Sequence, residues 1–457
     1  MVTTPERSVS PGPAELPLLN GIDSARVLAW RDGLPVSVAQ FVAHVQQVAV
    51  RLPAAATVNL CEDRYAFLVA FCAIALRGQI NLLPPSRAPR AIDEVMAAHP
   101  GCYALGEQAL QPAPLGYLQL PDLDVQTSFH EMPMPTIPAA QTVAIAYTSG
   151  STGVPKANAK SWRNFHASNA GNLRMLQRHV ASAFAIVATV PPQHIFGLET
   201  SVLLPLLGTC SVHTGRPFFP AEVVAALAQV PAPRVLVTTP VHLRALLAAQ
   251  LPLPPLAAVL SATAPLTHEL AVQAQAQFAC EVLEVFGSTE TCAFASRRSA
   301  CEEDWQLYDA VSLQPRPDGT LIEAPQLDAP AELADIVSLH DGGRRFRLHG
   351  RHADLLEIAG KRASLNDLSR RLLAIPGVRD GVVFQLDEAD AGGVRRIAAV
   401  VVAPEVSEMQ ILDALRPAMD PVFLPRRLIR VEALPRNETG KLPRAALLAL
   451  IGGASPR

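Results

Sequence analysis

Between residues 183 and 286 the chain alternates short apolar runs with longer, helix-spaced ones. Strand-like runs fall at 183–190, 234–238, 256–261 and 281–286, and helix-like runs at 221–230, 241–250 and 267–278. Two identical periods interleaved in this way have one economical packing, a parallel sheet covered by helices on both faces. Ligands of such sheets gather beyond the carboxyl ends of the strands, which places residues 261–266 and 287–290 at a candidate site. Upstream, the nearly continuous apolar run 66–77 ends at Gly78 and reads as a buried helix closed by a C-terminal glycine.

At 457 residues the chain exceeds one ordinary domain. The pattern changes after residue 350, where a charged stretch precedes shorter helix and strand signals and a hairpin expected over 382–402 around Ala391-Gly392-Gly393. The expected architecture is therefore α/β: a large N-terminal domain of stacked βα sheets at 1–350 and a small α+β C-terminal domain at 351–457. Residues 111–141, with six prolines and little periodicity, read as a surface connection. Charge is nearly balanced, 38 Lys and Arg against 41 Asp and Glu, with no basic run to follow a nucleic-acid backbone. The seven cysteines are scattered without a C-x-x-C pair and read as reduced core residues. No apolar run reaches membrane-spanning length and residues 1–16 lack a secretory pattern, so a cytoplasmic protein without a membrane span is expected.

Residues 147–156 read Tyr-Thr-Ser-Gly-Ser-Thr-Gly-Val-Pro-Lys. Gly150 and Gly153 let the backbone approach an anion, Thr148, Ser149, Ser151 and Thr152 offer hydroxyls, and Lys156 adds charge, a composition suited to phosphate. A P-loop requires Gly-Lys-Ser/Thr opening a helix, whereas Pro155 precedes Lys156 here and Ala157 follows it.

Three further segments accompany this one: VFGSTE at 285–290, GRHADLLEIAGKR at 350–362 and LPRNETGKLPR at 434–444. In this order and spacing the four resemble the adenylate-forming superfamily of acyl-CoA synthetases, peptide-synthetase adenylation domains and luciferases. The resemblance implies ATP and Mg²⁺ as cofactors, a carboxylic acid substrate, and a phosphopantetheine thiol of CoA or an acyl carrier protein as acceptor. It places the 148–156 loop on the β- and γ-phosphates, Thr289 on the α-phosphate and Glu290 on the metal. Phe286, beside Gly287, would stack on adenine or simply close a strand in the core. Asp335 and Arg351 would hold the ribose, although Leu333 and Ala334 depart from the family's Thr-Gly-Asp. Lys441, between Pro435 and Arg444, resembles the lysine that a mobile C-terminal lid brings to the carboxylate and α-phosphate.

Gly360 and Arg362 match the loop that faces the site during thioester formation, and Ala353 stands where the family's hinge usually carries aspartate or lysine. His194, in Pro-Pro-Gln-His-Ile-Phe-Gly, resembles the residue that gates the acyl pocket, or else is a satisfied core histidine. Ser261, Ala262, Thr263 and Ala264 stand where relatives carry a Ser-Gly-Gly-Ala turn, so two side chains narrow the wall of the pocket. Residues 59–65 and 77–87 resemble compact synthetases of aryl polyene and aromatic pigment pathways, which implies an aryl or medium acyl acid. An enzyme that stops at the adenylate or forms an amide, and a non-catalytic nucleotide-binding regulator, are the alternative readings.

Overall fold

The structure, a computed structural model, describes residues 14–21, 23–123, 133–148, 156–180, 183–351, 355–358, 361–389, 395–437, 440 and 442–453. Among these the largest sheet has eleven strands. Its centre is parallel and follows the alternating segment: Ser211–His213, Ala185–Ala188, Arg234–Thr238, Ala258–Ser261 and Glu281–Ser288 pair in that order. These strands are largely apolar and, apart from Arg234 and the two ends of Glu281–Ser288, buried between helices, as parallel strands require. Helices Pro220–Ala228, Pro240–Ala249 and His268–Phe278 link them. Thr239 and Thr267 cap two of these helices by accepting backbone N–H groups of His242 and Leu270.

Beyond Glu281–Ser288 the sheet turns antiparallel through Cys292–Arg298, Trp305–Leu307, Arg345–Arg351 and Asp335–His340. A second sheet of six strands contains the antiparallel pair Thr142–Thr148 and Lys156–Ser161, so the hydroxyl-rich loop is the excursion of a hairpin. Helix Arg64–Leu76 is buried from Arg64 to Ala75, and its side chains share one hydrophobic core with strands of both sheets. The interval 111–141 is not only surface connection: Leu118–Gln119 and Thr136–Pro138 are strands, and Leu120, Leu123 and Ile137 are buried. All seven cysteines are free, five of them buried.

After residue 355 the chain forms a three-stranded sheet, with Asp380–Ala389 and Arg395–Val402 as the expected hairpin and Arg427–Arg430 added parallel. Helices Leu365–Leu373, Glu408–Leu415 and Arg444–Gly453 accompany it. Two hydrophobic clusters in this region draw only on its own residues, among them Leu368, Leu372, Ile397 and Phe423 in one and Phe384, Ala398 and Leu447 in the other.

Candidate active site

A cavity of about 2110 Å³ opens at the carboxyl ends of the parallel strands. It exceeds the roughly 300–1,000 Å³ of a typical small-ligand pocket and has room for more than one reactant. Thr148, Lys156, His194, Ala262, Thr263, Ala264, Phe286, Gly287, Thr289, Glu290 and Asp335 all line it, so segments up to 187 residues apart in the chain share one cleft. Asn366, Asp367, Arg370, Asn437 and Leu442, from the C-terminal region, line it too.

One wall of the cavity is built by Thr148 and Lys156 and by the turn at 289–290. Thr148 and Lys156 are direct partners in the hairpin register, which holds the two ends of the loop together. Ser149, Gly150, Ser151, Thr152 and Gly153 lie outside the described residues. Beside Thr148 and Lys156, Thr289 and Glu290 occupy the turn joining antiparallel strands Glu281–Ser288 and Cys292–Arg298, not the start of a helix. Ser288 and Thr291 lock that turn with reciprocal bonds of 3.1–3.2 Å between hydroxyls and backbone N–H groups. Gly287 sits at a register shift so tight that a Cβ there would lie 2.3 Å from the Cys292 carbonyl oxygen. Lys156 Nζ stands 3.9 Å from Glu290 Oε1. Lys160, 4% exposed, donates to the Glu290 carbonyl at 2.5 Å, tying the hairpin to the turn.

Phe286 lines the cavity, and its ring meets Phe294, Trp305 and Phe346 at centroid distances of 5.0–5.8 Å. Beside it, buried Glu284 accepts from Arg297 Nε at 2.8 Å, Ser299 Oγ at 2.7 Å and the Leu266 N–H at 3.0 Å. That last bond anchors the 261–266 turn to the neighbouring strand. Arg297 in turn lies 4.4 Å over the Trp305 ring. Ser261 ends its strand fully buried and does not line the cavity, while the three residues after it do.

Within that turn Thr263 has φ +78°, the left-handed region that glycine occupies without penalty and a β-branched residue does not. Such strain costs about 1–3 kcal/mol. Thr263→Gly is expected to raise the unfolding free energy by about 1 kcal/mol after allowing for the looser unfolded chain. A urea titration checks this, and a lowered midpoint at unchanged slope would contradict the strain.

Another wall begins where strand Ala185–Ala188 ends. His194 occupies the position before the short helix Ile195–Leu198 and lines the cavity with Gln193 and Phe196. Gly197 is packed so closely that a Cβ would lie 2.0 Å from the Pro191 carbonyl oxygen. Fully buried Arg64 donates to the carbonyls of Ala188 and Val190, both at 3.0 Å, and to Ser201 Oγ, bracketing the His194 turn from behind. Burial and nearby Arg216 push its pKa down to about 9, which still leaves it charged at neutral pH. Next along the chain, buried Glu199 opens a π-helical turn and accepts from Ser168, Asn172 and the Ala293 N–H. Burial raises its pKa against the pull of those bonds and of Lys160.

Asp335 and Arg351 stand directly opposite one another in the ladder between Asp335–His340 and Arg345–Arg351. Thr320 Oγ1 donates to the Asp335 carbonyl at 2.6 Å. The side chains of Arg351 and Arg362, and all of Gly360 and Lys441, lie outside the described residues. Gly440, immediately before Lys441, is buried with φ +78° and lies beside Val241. Arg64, Lys160, Glu199 and Glu284 were not marked out by the sequence: each is a buried charge whose partners come from elsewhere in the chain.

The family profile described as AMP-binding enzyme matches residues 37–319. A 4-coumarate–CoA ligase of Rhodobacter capsulatus is 29% identical over 301 residues, 65% of this chain and 74% of that protein. Among solved structures, o-succinylbenzoate–CoA synthetase of Bacillus subtilis in complex with its acyl-adenylate intermediate superposes with a TM-score of 0.78 at 17% identity. That match covers 95% of this chain and 98% of the synthetase, which has also been solved with ATP and magnesium ion. An anthranilate–CoA ligase in complex with anthranoyl-AMP gives a TM-score of 0.75 at 17% identity, covering 95% and 98%. At these identities the structural likeness carries the fold.

Proposed function

The chain belongs to the AMP-binding enzyme family of adenylate-forming ligases, and from that premise we propose that it activates an aryl or medium acyl carboxylic acid with ATP and passes the acyl group to a phosphopantetheine thiol of CoA or an acyl carrier protein. The observation that carries this reading is the meeting of Thr148 and Lys156 of the second sheet with the Thr289–Glu290 turn of the first in one wall of the cleft, joined through Lys156 and Lys160.

ATP and Mg²⁺ fit the residues present. Thr148, Lys156, Ser288 and Thr289 supply hydroxyls and charge to one wall of the cavity, and Glu290 supplies a carboxylate. Among the described residues no group of three or more His, Cys, Asp or Glu is placed to hold a metal, and Mg²⁺ beside a nucleotide needs only one or two protein carboxylates with phosphate oxygens and water. When bound, Mg²⁺ would neutralise charge on the departing pyrophosphate. In the first step a carboxylate oxygen forms a bond to the α-phosphorus as the bond to pyrophosphate breaks. Lys441 stabilises the charge that this brings together, and Lys156 receives the leaving group. In the second step the thiolate attacks the acyl carbon and AMP leaves. Phe286 seats adenine, Asp335 and Arg351 hold the ribose, and His194 with the 262–264 turn bounds the acid.

The reading also assigns residues 1–350 to a body and 351–457 to a lid that reorients between the steps, with Gly360 and Arg362 facing the site for the second. Among the described residues no helix is long and apolar enough to cross a membrane, and the proposed place of action is the cytoplasm. Acid-dependent ATP–pyrophosphate exchange across aryl and medium-chain acids, followed by thioester assay with CoA and with holo-carrier protein, tests the proposal. Exchange with at least one acid and a thioester on one acceptor are expected. Silence across the panel would overturn adenylation of these acids, and a trapped adenylate with no thioester would move the function to amide formation.

A further inference from the structure

The turn that precedes Lys441 is held by a charge cluster that crosses from the C-terminal region to the body. Arg436 Nε lies 2.9 Å from Asp380 Oδ2 and Nη2 lies 2.7 Å from Oδ1, a two-pronged pair. The same guanidinium donates from Nη1 to the Gly440 carbonyl at 2.7 Å, while the Gly440 N–H donates to the Asn437 carbonyl at 2.9 Å. One arginine thus fixes both the start of strand Asp380–Ala389 and the last peptide before Lys441. The third member is Arg244 on helix Pro240–Ala249 of the body, with Nη1 4.0 Å from Asp380 Oδ1. All three side chains are shielded: Asp380 is 16% exposed, Arg436 19% and Arg244 33%. The side chain of Val241, one turn before Arg244, lies 3.6 Å from where a Cβ on Gly440 would stand.

We propose that Asp380 is a positioning residue for adenylation, a latch that docks the Arg436–Gly440 turn on Arg244 of the body and thereby delivers Lys441 to the cleft. The inference rests on the adenylation reading. A carboxylate shared by two arginines suits a latch, because removing it leaves two like charges facing each other in a partly desolvated seam. The second half-reaction, which needs the lid elsewhere, gains nothing from this contact.

Two variants test the latch from opposite sides, Asp380→Asn and Arg244→Gln, with their double. Arg244→Gln leaves the Arg436 fork intact and serves if Asp380→Asn fails to fold. In a Cys301→Ser background, spin labels at Ala248→Cys and Met409→Cys report the distance between body and lid without any substrate. Each single variant is expected to broaden that distance distribution and to lower acid-dependent exchange about ten- to a hundredfold. Thioester formation from supplied acyl-adenylate should change less than about threefold, and the double should be no worse than Asp380→Asn, as a shared contact requires. Unchanged distances, fully additive losses, or equal loss of both half-reactions would each overturn the latch. A wild type that exchanges no acid, but whose distances still broaden in Asp380→Asn, would overturn the adenylation reading and leave the docking contact standing.

Discussion

Lys441→Ala is expected to lower acid-dependent ATP–pyrophosphate exchange by about 10²–10³-fold while leaving thioester formation from supplied acyl-adenylate within about threefold of wild type. The magnitude is that of removing one preorganised charge from the point where negative charge accumulates. The split between steps follows from the proposed lid: the carbonyl of Gly440, the residue before Lys441, accepts from Arg436, and Val241 lies beside Gly440, so on that reading the lysine serves only the orientation in which these contacts form. A compact ammonium on a long flexible stem suits a group that arrives for one step and leaves for the next. Lys441→Arg should recover little, because a planar fork does not replace a point charge between two oxygens. Equal loss of both half-reactions would contradict the placement.

The largest loss of stability is expected from Arg64→Leu, at about 3–5 kcal/mol. The arginine is 0% exposed, and its removal leaves the Ala188 and Val190 carbonyls and the Ser201 hydroxyl without their donor in a dry core. Hydrogen bonds to a charged group are worth about 1.5–3 kcal/mol each, and the leucine recovers part of the loss as apolar contact. Because those carbonyls flank the turn leading to His194, the KM for the acid should rise more than the KM for ATP. The urea midpoint of the first unfolding transition is the measurement. An unchanged midpoint would show that the charge is dispensable, and an equal rise in both KM values would separate Arg64 from the acid pocket.

What the sequence made legible was periodic or local. The four strands and three helices expected in the run 183–286 all form at nearly the expected bounds, because buried parallel strands are largely apolar and two of the helices carry their own threonine caps. Asp335 and Arg351, paired by the resemblance, stand as direct partners in an antiparallel ladder. Lys160 and Glu284 were illegible for the opposite reason. A lysine in an alternating strand reads as a solvated side chain, and only the folded chain shows it 4% exposed against a carbonyl 130 residues away. Thr263 was visible as a replacement for glycine, but its φ of +78° shows only in the folded turn, which the Leu266 N–H anchors to Glu284. The hairpin that carries the hydroxyl-rich loop escaped notice because Lys156–Ser161 is polar and reads as more loop.

The most direct test of carboxylate adenylation is to follow oxygen from the acid. With an acid that supports exchange, labelled with ¹⁸O in its carboxylate, a single turnover with ATP and the thiol acceptor should place one ¹⁸O in AMP and none in pyrophosphate. That outcome requires the carboxylate oxygen to bond the α-phosphorus and to stay there when the thiol takes the acyl group. Label in inorganic phosphate, or AMP free of label, would contradict the account.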